Sequence, residues 1–322
     1  MLWAVAATMS GQSLPDSIVK YQMADGGWPK NQNWAEGVDI TSDPYLSQCY
    51  ATGIGSTIDN GATWKEMRVL AAAYAENGNS LYRDSFIKAL DYLFRAQYAN
   101  GGWPQFYPSR GENHYSNHIT FNDNAMTGVM RIMRDVAWQR GDFSSLSLPQ
   151  DIIDKARMAY DKGVECILKC QIRKDGKLTV WCQQHDETTL LPAGARAYEL
   201  ASFCGTFETC DIIRLLMEDP HPTQKMKESI MAAVQWLDAH TLYDIAVEDC
   251  IGDNGKHDRR VVHSPGNRLW ARYYDLINEK PMFVGRDGIP HLHLSDIEQE
   301  RRAGYSWLAN TPYQIIKEIL GK

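Results

Sequence analysis

The chain reads as an all-α protein, an α/α toroid of about three repeated helix pairs with little β structure. Three observations predict this. A helical apolar stripe returns about every 74 residues, a Gln-x-x-x-Gly-x-Trp loop follows it, and strand-like alternation is scarce across the 322 residues.

In chain order, Ile18, Val19 and Gln22 form the tail of a first helix leading into QMADGGWPKN, residues 22–31. Met67, Leu70, Ala71 and Tyr74 then carry the spacing of an amphipathic second helix. Phe86, Leu90, Leu93, Phe94 and Gln97 make an i, i+4, i+7, i+8 stripe that runs into QYANGGWPQF, residues 97–106. Met126, Val129, Met130 and Met133 predict the helix after that loop. Tyr160, Val164, Ile167, Leu168 and Gln171 repeat the stripe 74 positions on, and Gly176 of Lys174-Asp-Gly-Lys stands 75 after Gly101, as Gly101 does after Gly26. The alternation in KLTVWC, residues 177–182, is the best strand signal, and it is short. Ile230, Val234 and Leu237 resemble the start of the stripe once more. Helix pairs of this kind each carry an apolar face they cannot bury alone, so closing them into a ring would bury those faces and gather equivalent loops on one rim.

In the loops, the glycines permit positive φ past a helix end, Pro29 and Pro104 stop further helix, and Trp28 and Trp103 offer large anchors. Packing accounts for these tryptophans better than sugar stacking, because buried aromatics usually pack. Gln-x-x-x-Gly-x-Trp also resembles the repeat that braces helix ends in triterpene cyclases, which are α/α toroids. The Asp-x-Asp-Asp acid of that chemistry is absent here, so the likeness is to a scaffold.

A formal charge of −7 argues against a nucleic-acid partner. A polyanionic ligand would need a local basic cluster or a bridging divalent cation. Hydrophobic residues make up 44% and charged residues 23%, and no stretch reaches the roughly 18 to 20 apolar residues of a membrane span. MLWAVAATMSGQ has an apolar run without a basic flank and does not read as a signal peptide; it is expected to be the edge of a piece of a larger exported protein, with residues 1–322 one domain. Seven cysteines without a C-x-x-C pair suit core packing.

Some polar residues exceed what a scaffold needs. Asp59-Asn60 in STIDNGATW and Asp123-Asn124 in HITFNDNAM each precede a predicted helix, where they either cap it or, as carboxylates on one rim, share an oxygen-liganded cation such as calcium. Arg196, Arg268, Arg272 and Arg286 are either solvated or ion-paired, or they grip carboxylates with the planar guanidinium fork; the glycines around Arg286 would let a ligand approach closely. His114 and His118 lie in a loop-like HYSNH, and without a His-Glu-x-x-His motif a zinc site is not expected. These residues alone leave open a lyase, a carboxylate-pair hydrolase and a carbohydrate-binding module.

The strings DGGWPKN, TIDNGAT, GGWPQFYP, HITFNDNAM, WCQQHD, PAGARAYE, LWARYYD, FVGRDG and ERRAGYSW span essentially the whole chain, and together they resemble the family 10 polysaccharide lyases, pectate lyases that depolymerise polygalacturonate. The resemblance implies an α/α toroid, a groove for oligogalacturonate, calcium dependence and a secreted enzyme. It also implies Arg286 as catalytic base, Asp59 and Asp123 as calcium ligands, and Arg196 and Arg272 as substrate-carboxylate binders. Lys30, Asn60 and Asn124 follow as substrate-binding positions, and Arg268 carries no expected role. A monomer is expected. Because an arginine is protonated near neutrality, its use as a base predicts an alkaline optimum, helped by a lowered pKa beside calcium and Arg272.

Overall fold

The structure, a computed structural model, describes residues 13–321; the apolar opening run lies outside the described residues. Helices form where caps and apolar spacing agree. Helix α1 (Leu14–Lys20) starts under the Ser13 side chain, and α2 (Pro44–Thr52) starts under Asp43, whose carboxylate accepts from the Tyr45 and Leu46 amides. The long helices are α3 (Trp64–Asn77), α4 (Ser80–Ala96), α5 (Ala125–Ala137), α6 (Gln150–Cys170), α7 (Phe207–Met217) and α8 (Gln224–Ala239). Helices α9 (Gln299–Gly304) and α10 (Thr311–Leu320) close the chain. Helix α5 is buried at nearly every position and forms the centre of the core, packing against α3, α6 and α7.

The helices sort into four units rather than three: α1 with α3, α4 with α5, α6 with α7, and α8 with α10. In each unit a fully buried indole N–H donates back to a carbonyl of the first helix. Trp28 donates to Ile18 at 2.8 Å, Trp103 to Leu93 at 2.8 Å, Trp181 to Ile167 at 2.7 Å and Trp270 to Leu237 at 2.6 Å. The glutamine of the motif braces two units at once. Gln22 donates to Gly26 and to Ser85 of α4, Gln97 to Gly101 and to Ala159 of α6, and Gln171 to Thr179 and to Ser229 of α8. The Gln-x-x-x-Gly-x-Trp motif is therefore a joint between successive units. Gly26 and Gly101 sit at φ +107° and +97°, with the backbone carbonyls of Lys88 and Lys162 pressed against the space a Cβ would fill.

The expected all-α toroid with little β structure does not hold. Eleven strands occur among the described residues, dominated by an antiparallel hairpin of β6 (Leu242–Ile251) and β7 (His257–Ala271). Its faces are half exposed, so clean apolar alternation is missing. The backbone ladder joins its strands, and opposite charges face each other across the register, with Arg260 on Glu248 at 3.2 Å and Arg259 on Asp249 at 3.1 Å. The other strands are two residues each: β1 (Ile119–Thr120) pairs with β4 (Gln184–His185), β2 (Arg173–Lys174) with β3 (Lys177–Leu178), β5 (Phe203–Cys204) with β8 (Tyr273–Tyr274), β9 (Phe283–Val284) with β10 (Pro290–His291), and β11 (Leu308–Ala309) with the end of β7. The strand expected at KLTVWC is limited to β3. Among the described residues, the principal packings join neighbouring units in chain order, and none of them joins α1 or α3 to α8 or α10.

Both larger hairpins are insertions in the joint. The β2–β3 hairpin delays the third tryptophan, so that Trp181 rather than the Gly176 register marks the repeat. The β6–β7 hairpin separates Leu237 from Trp270, and Thr241 stands where the other units have glutamine.

Gly101→Ala is expected to cost about 2 kcal/mol, from positive φ and the clash with the Lys162 carbonyl, whereas Gly53→Ala, left-handed but in open space, costs about 1 kcal/mol. Denaturant midpoints distinguish them; equal losses would show that the backbone contact is unimportant.

Candidate active site

The joints also build the site. The segment ahead of each second helix is clipped to its own tryptophan: Thr57 N–H donates to the Trp28 carbonyl, Thr120 to Trp103 and Cys204 to Trp181. It is clipped again to the residue two beyond the next tryptophan: Ile58 N–H donates to Gln105, Phe121 to Gln183 and Gly205 to Arg272. The residues two beyond the tryptophans, Lys30, Gln105, Gln183 and Arg272, thus follow one another along a rim with the Asp-Asn segments between them.

Two short 3-10 turns, Asp59–Gly61 and Asn122–Asn124, pack on each other there. The backbone corrects the sequence pairing by one residue. Asn60 (φ 53°) corresponds to Asp123 (φ 51°), so Asp59 corresponds to Asn122, not to Asp123. Asp59 is accordingly buried, while Asp123 is exposed to a cavity of about 460 Å³. Neither aspartate caps a helix: Thr63 and Asn124 occupy the N-cap positions of α3 and α5, without a side-chain cap bond.

One Asp59 oxygen, Oδ2, is ion-paired with Lys30, and Oδ1 is buried with no hydrogen-bond partner. Asn60 donates to Asn31 at 2.8 Å, and Asp123 accepts from Asn122 at 3.0 Å. Loss of hydration, then the charge of Asp59, holds the Asp123 carboxyl above the usual aspartate range. Asn60, Asp123, Asn124, Glu208 and Arg272 line the same cavity. Although Lys65 and Arg272 also line the cavity, a carboxylate oxygen without a partner and a second carboxylate repelled by the first, with the Asn60 and Asn124 amides beside them, fit a hard cation such as calcium.

Arg272, between β7 and β8, is buried. It donates to Asn122 at 2.8 Å and to Glu208, lies 4.6 Å from the Tyr305 ring centre, and has an unpartnered Nε. Burial alone would lower its pKa, but the Glu208 charge outweighs that and the value lies above the ordinary arginine range. Arg196 and Arg286 do not line the cavity. Arg196 is paired with Glu199 and lies over the Tyr198 ring at 4.9 Å. Arg286 is exposed, gripped by Glu300 through two bonds of 3.0 and 2.9 Å, and 5.6 Å from the same ring. The Tyr305 hydroxyl donates to Glu199 at 3.2 Å, which links the Arg196 group to Arg272. The Glu300 hydrogen bond raises the Arg286 pKa above the ordinary arginine value.

Glu199, Glu208, Tyr198 and Tyr305 escaped sequence reasoning. Glu208 reads as an ordinary acidic residue in a first helical turn, and the tyrosines carry no spacing signal. His114 and His118 take separate partners, Ser116 and Glu187. His118, Asp186 and Glu187 could together surround an ion. A larger cavity of about 610 Å³ lies against the β6–β7 hairpin and is lined by none of the predicted residues.

Arg272→Ala strands the buried Glu208 charge and is expected to cost about 3 to 5 kcal/mol, with part recovered by adding Glu208→Ala. Denaturation of the single and double variants checks this; fully additive losses would show that the pair is not coupled.

No curated protein sequence matches the chain. Among solved structures, the family 10 polysaccharide lyase from Cellvibrio cellulosa superposes with a TM-score of 0.82 at 34% identity, covering 96% of this chain and 91% of that one. An aspartate-to-alanine mutant of that lyase, in complex with trigalacturonic acid, superposes with a TM-score of 0.82 at 33% identity, covering 96% and 92%. A family model described as pectic acid lyase matches residues 22–316. With the joints, the rim and these likenesses spanning nearly its whole length, the chain belongs to the pectic acid lyase family.

Proposed function

We propose that this pectate lyase cleaves polygalacturonate by calcium-assisted β-elimination at the cavity between the Asp59 and Asn122 turns, with an arginine as base. The observation that carries the reading is the meeting of Asp59, Asp123 and Arg272 on one rim, with a buried carboxylate oxygen left without a partner. Asp59 and Asp123 would hold calcium, whose bound charge draws electron density from the uronate carboxylate and makes the C5 proton more acidic. Arg272, with its Nε unpartnered, and Arg196 bind substrate carboxylates. Lys30, Asn60 and Asn124 complete the binding surface.

The arginine base takes the C5 proton, the C5–H electron pair becomes the C4=C5 double bond, and the C4 oxygen leaves with the departing chain. The family resemblance assigns the base to Arg286. A second candidate is Arg196, favoured by one observation: its partner Glu199 is bonded to Tyr305, which lies against Arg272 at the cavity, whereas the Glu300 partner of Arg286 is exposed. In either case the carboxylate partner engages Nε and one terminal nitrogen, which leaves the other terminal nitrogen to face the substrate. The reading extends to an exported enzyme acting as a monomer on an oligogalacturonate chain, with neither nucleic acid nor membrane as partner; among the described residues no helix is long and apolar enough to cross a membrane.

The test follows the ultraviolet absorbance of the unsaturated uronate formed from polygalacturonate at about pH 9 to 10, with calcium and with EDTA. Wild-type protein should form it only with calcium, and whichever of Arg286→Ala and Arg196→Ala removes the base should lose about 100-fold or more in kcat. Reducing ends without the chromophore would indicate a hydrolase, and no product a binding module.

The pH dependence has a definite sign. The neutral fraction of a guanidinium grows as pH rises, and the ionised carboxylates that raise the pKa of Arg286 and Arg196 move that growth to still higher pH. Rates should therefore climb into the alkaline range; a profile peaking near about pH 5 would overturn the arginine base.

A further inference from the structure

We infer that one face of the β6–β7 hairpin forms a distal subsite for the polygalacturonate chain, with Arg259 as its carboxylate-binding residue. The inference rests on the lyase reading of the neighbouring cavity. The register sets Val247 opposite Val261 and Asp249 opposite Arg259, so these four side chains and that of Ile245 share one face of the hairpin. That face borders two cavities, of about 610 and 270 Å³. Arg259, Leu294, Arg302 and Leu308 border both, so the two adjoin. Ser306 borders the smaller of them and also the cavity of about 460 Å³ that Asp123 and Arg272 line. The three cavities therefore follow one another from Asp123 to the hairpin. A second link runs alongside: Arg259 Nη1 donates to the Tyr305 carbonyl at 3.5 Å, and the Tyr305 ring lies against Arg272.

The lining of this extension suits a carboxylated polymer. Three arginines, Arg259, Arg260 and Arg302, border the two cavities against two aspartates, Asp249 and Asp258, a local positive excess in a chain of formal charge −7. Arg302 is committed to Asp258 through bonds of 3.0 and 2.6 Å, and Arg260 to Glu248 at 3.2 Å. Arg259 is held more loosely. Its Nε donates to Asp249 at 3.1 Å, a carboxylate 68% exposed, and its Nη2 has no hydrogen-bond partner among the described residues. An exposed ion pair is worth little, so a substrate carboxylate competes for this guanidinium at small cost. Val247, Leu294 and Leu308 offer apolar surface in the same space to the ring faces of a sugar. Polygalacturonate carries a carboxylate on each unit, so a chain that continues past Ser306 brings one to Arg259, and a short oligomer held at the catalytic cavity does not.

The experiment compares kcat/KM for polygalacturonate with kcat/KM for the shortest oligogalacturonate that the wild type cleaves, in calcium, for wild type, Arg259→Gln and Asp249→Asn. In Arg259→Gln the ratio of polymer to short substrate should fall about 3-fold or more, with the short substrate unaffected. Asp249→Asn removes the carboxylate that competes for Arg259, so its ratio should rise. Loss of fold moves both substrates together and cannot raise the ratio, which makes the two opposite signs the decisive result. Wild-type ratios in both variants, or a fall in both, overturn the distal subsite and leave the lyase reading standing. A wild type that forms no unsaturated uronate from either substrate overturns the lyase reading and this inference with it.

Discussion

Burying an indole N–H is costly without an acceptor, and four tryptophans of this protein find one in the same kind of place. Trp28, Trp103, Trp181 and Trp270 each lie at about zero exposure and each donate to a carbonyl near the end of the helix that precedes them. A lost partner would cost roughly 1 to 3 kcal/mol at each position, so loop and helix end are fixed relative to one another. Gln22, Gln97 and Gln171 then carry that fixed geometry to the next helix pair. The units stack because each joint satisfies polar groups on both sides of it.

The rim inherits its order from these joints. Once the tryptophan is placed, the residue two beyond it is placed as well, and at Gln105, Gln183 and Arg272 its carbonyl accepts from the segment ahead of the preceding unit's second helix. Lys30 and Arg272 owe their positions to this rule, and so do the carboxylates they meet. The charges are arranged as interlocked pairs, Lys30 with Asp59, Arg272 with Glu208, Arg196 with Glu199 and Arg286 with Glu300. An acidic chain can in this way present several guanidinium groups around aromatic rings while each stays compensated until an anionic ligand competes for it.

Much of this was legible in the sequence because it rests on spacing. The apolar stripes at Phe86 and Tyr160 did mark helices α4 and α6, and the Gly-Gly-Trp loops did mark joints. The fourth unit was hidden because its glutamine position holds Thr241 and its tryptophan is displaced by a hairpin. That hairpin was missed because its strands lack a buried apolar face and so show no clean alternation. At the site, the family strings led to the aspartates and arginines, but the one-residue offset between Asp59 and Asp123 depends on left-handed backbone at Asn60 and Asp123, which spelling alone does not reveal. Glu208 and Tyr305 depend on contacts across distant segments and had no local signature.

The separation between the acceptor carbonyl and the indole is 10 residues in the first two units, 14 in the third and 33 in the fourth, yet the bond stays between 2.6 and 2.8 Å. The chain between those two points is thus free to lengthen without disturbing the frame. Each joint is a grafting point, where evolution or an engineer can splice in a loop or hairpin to reshape what borders the rim while the helices beneath keep their places.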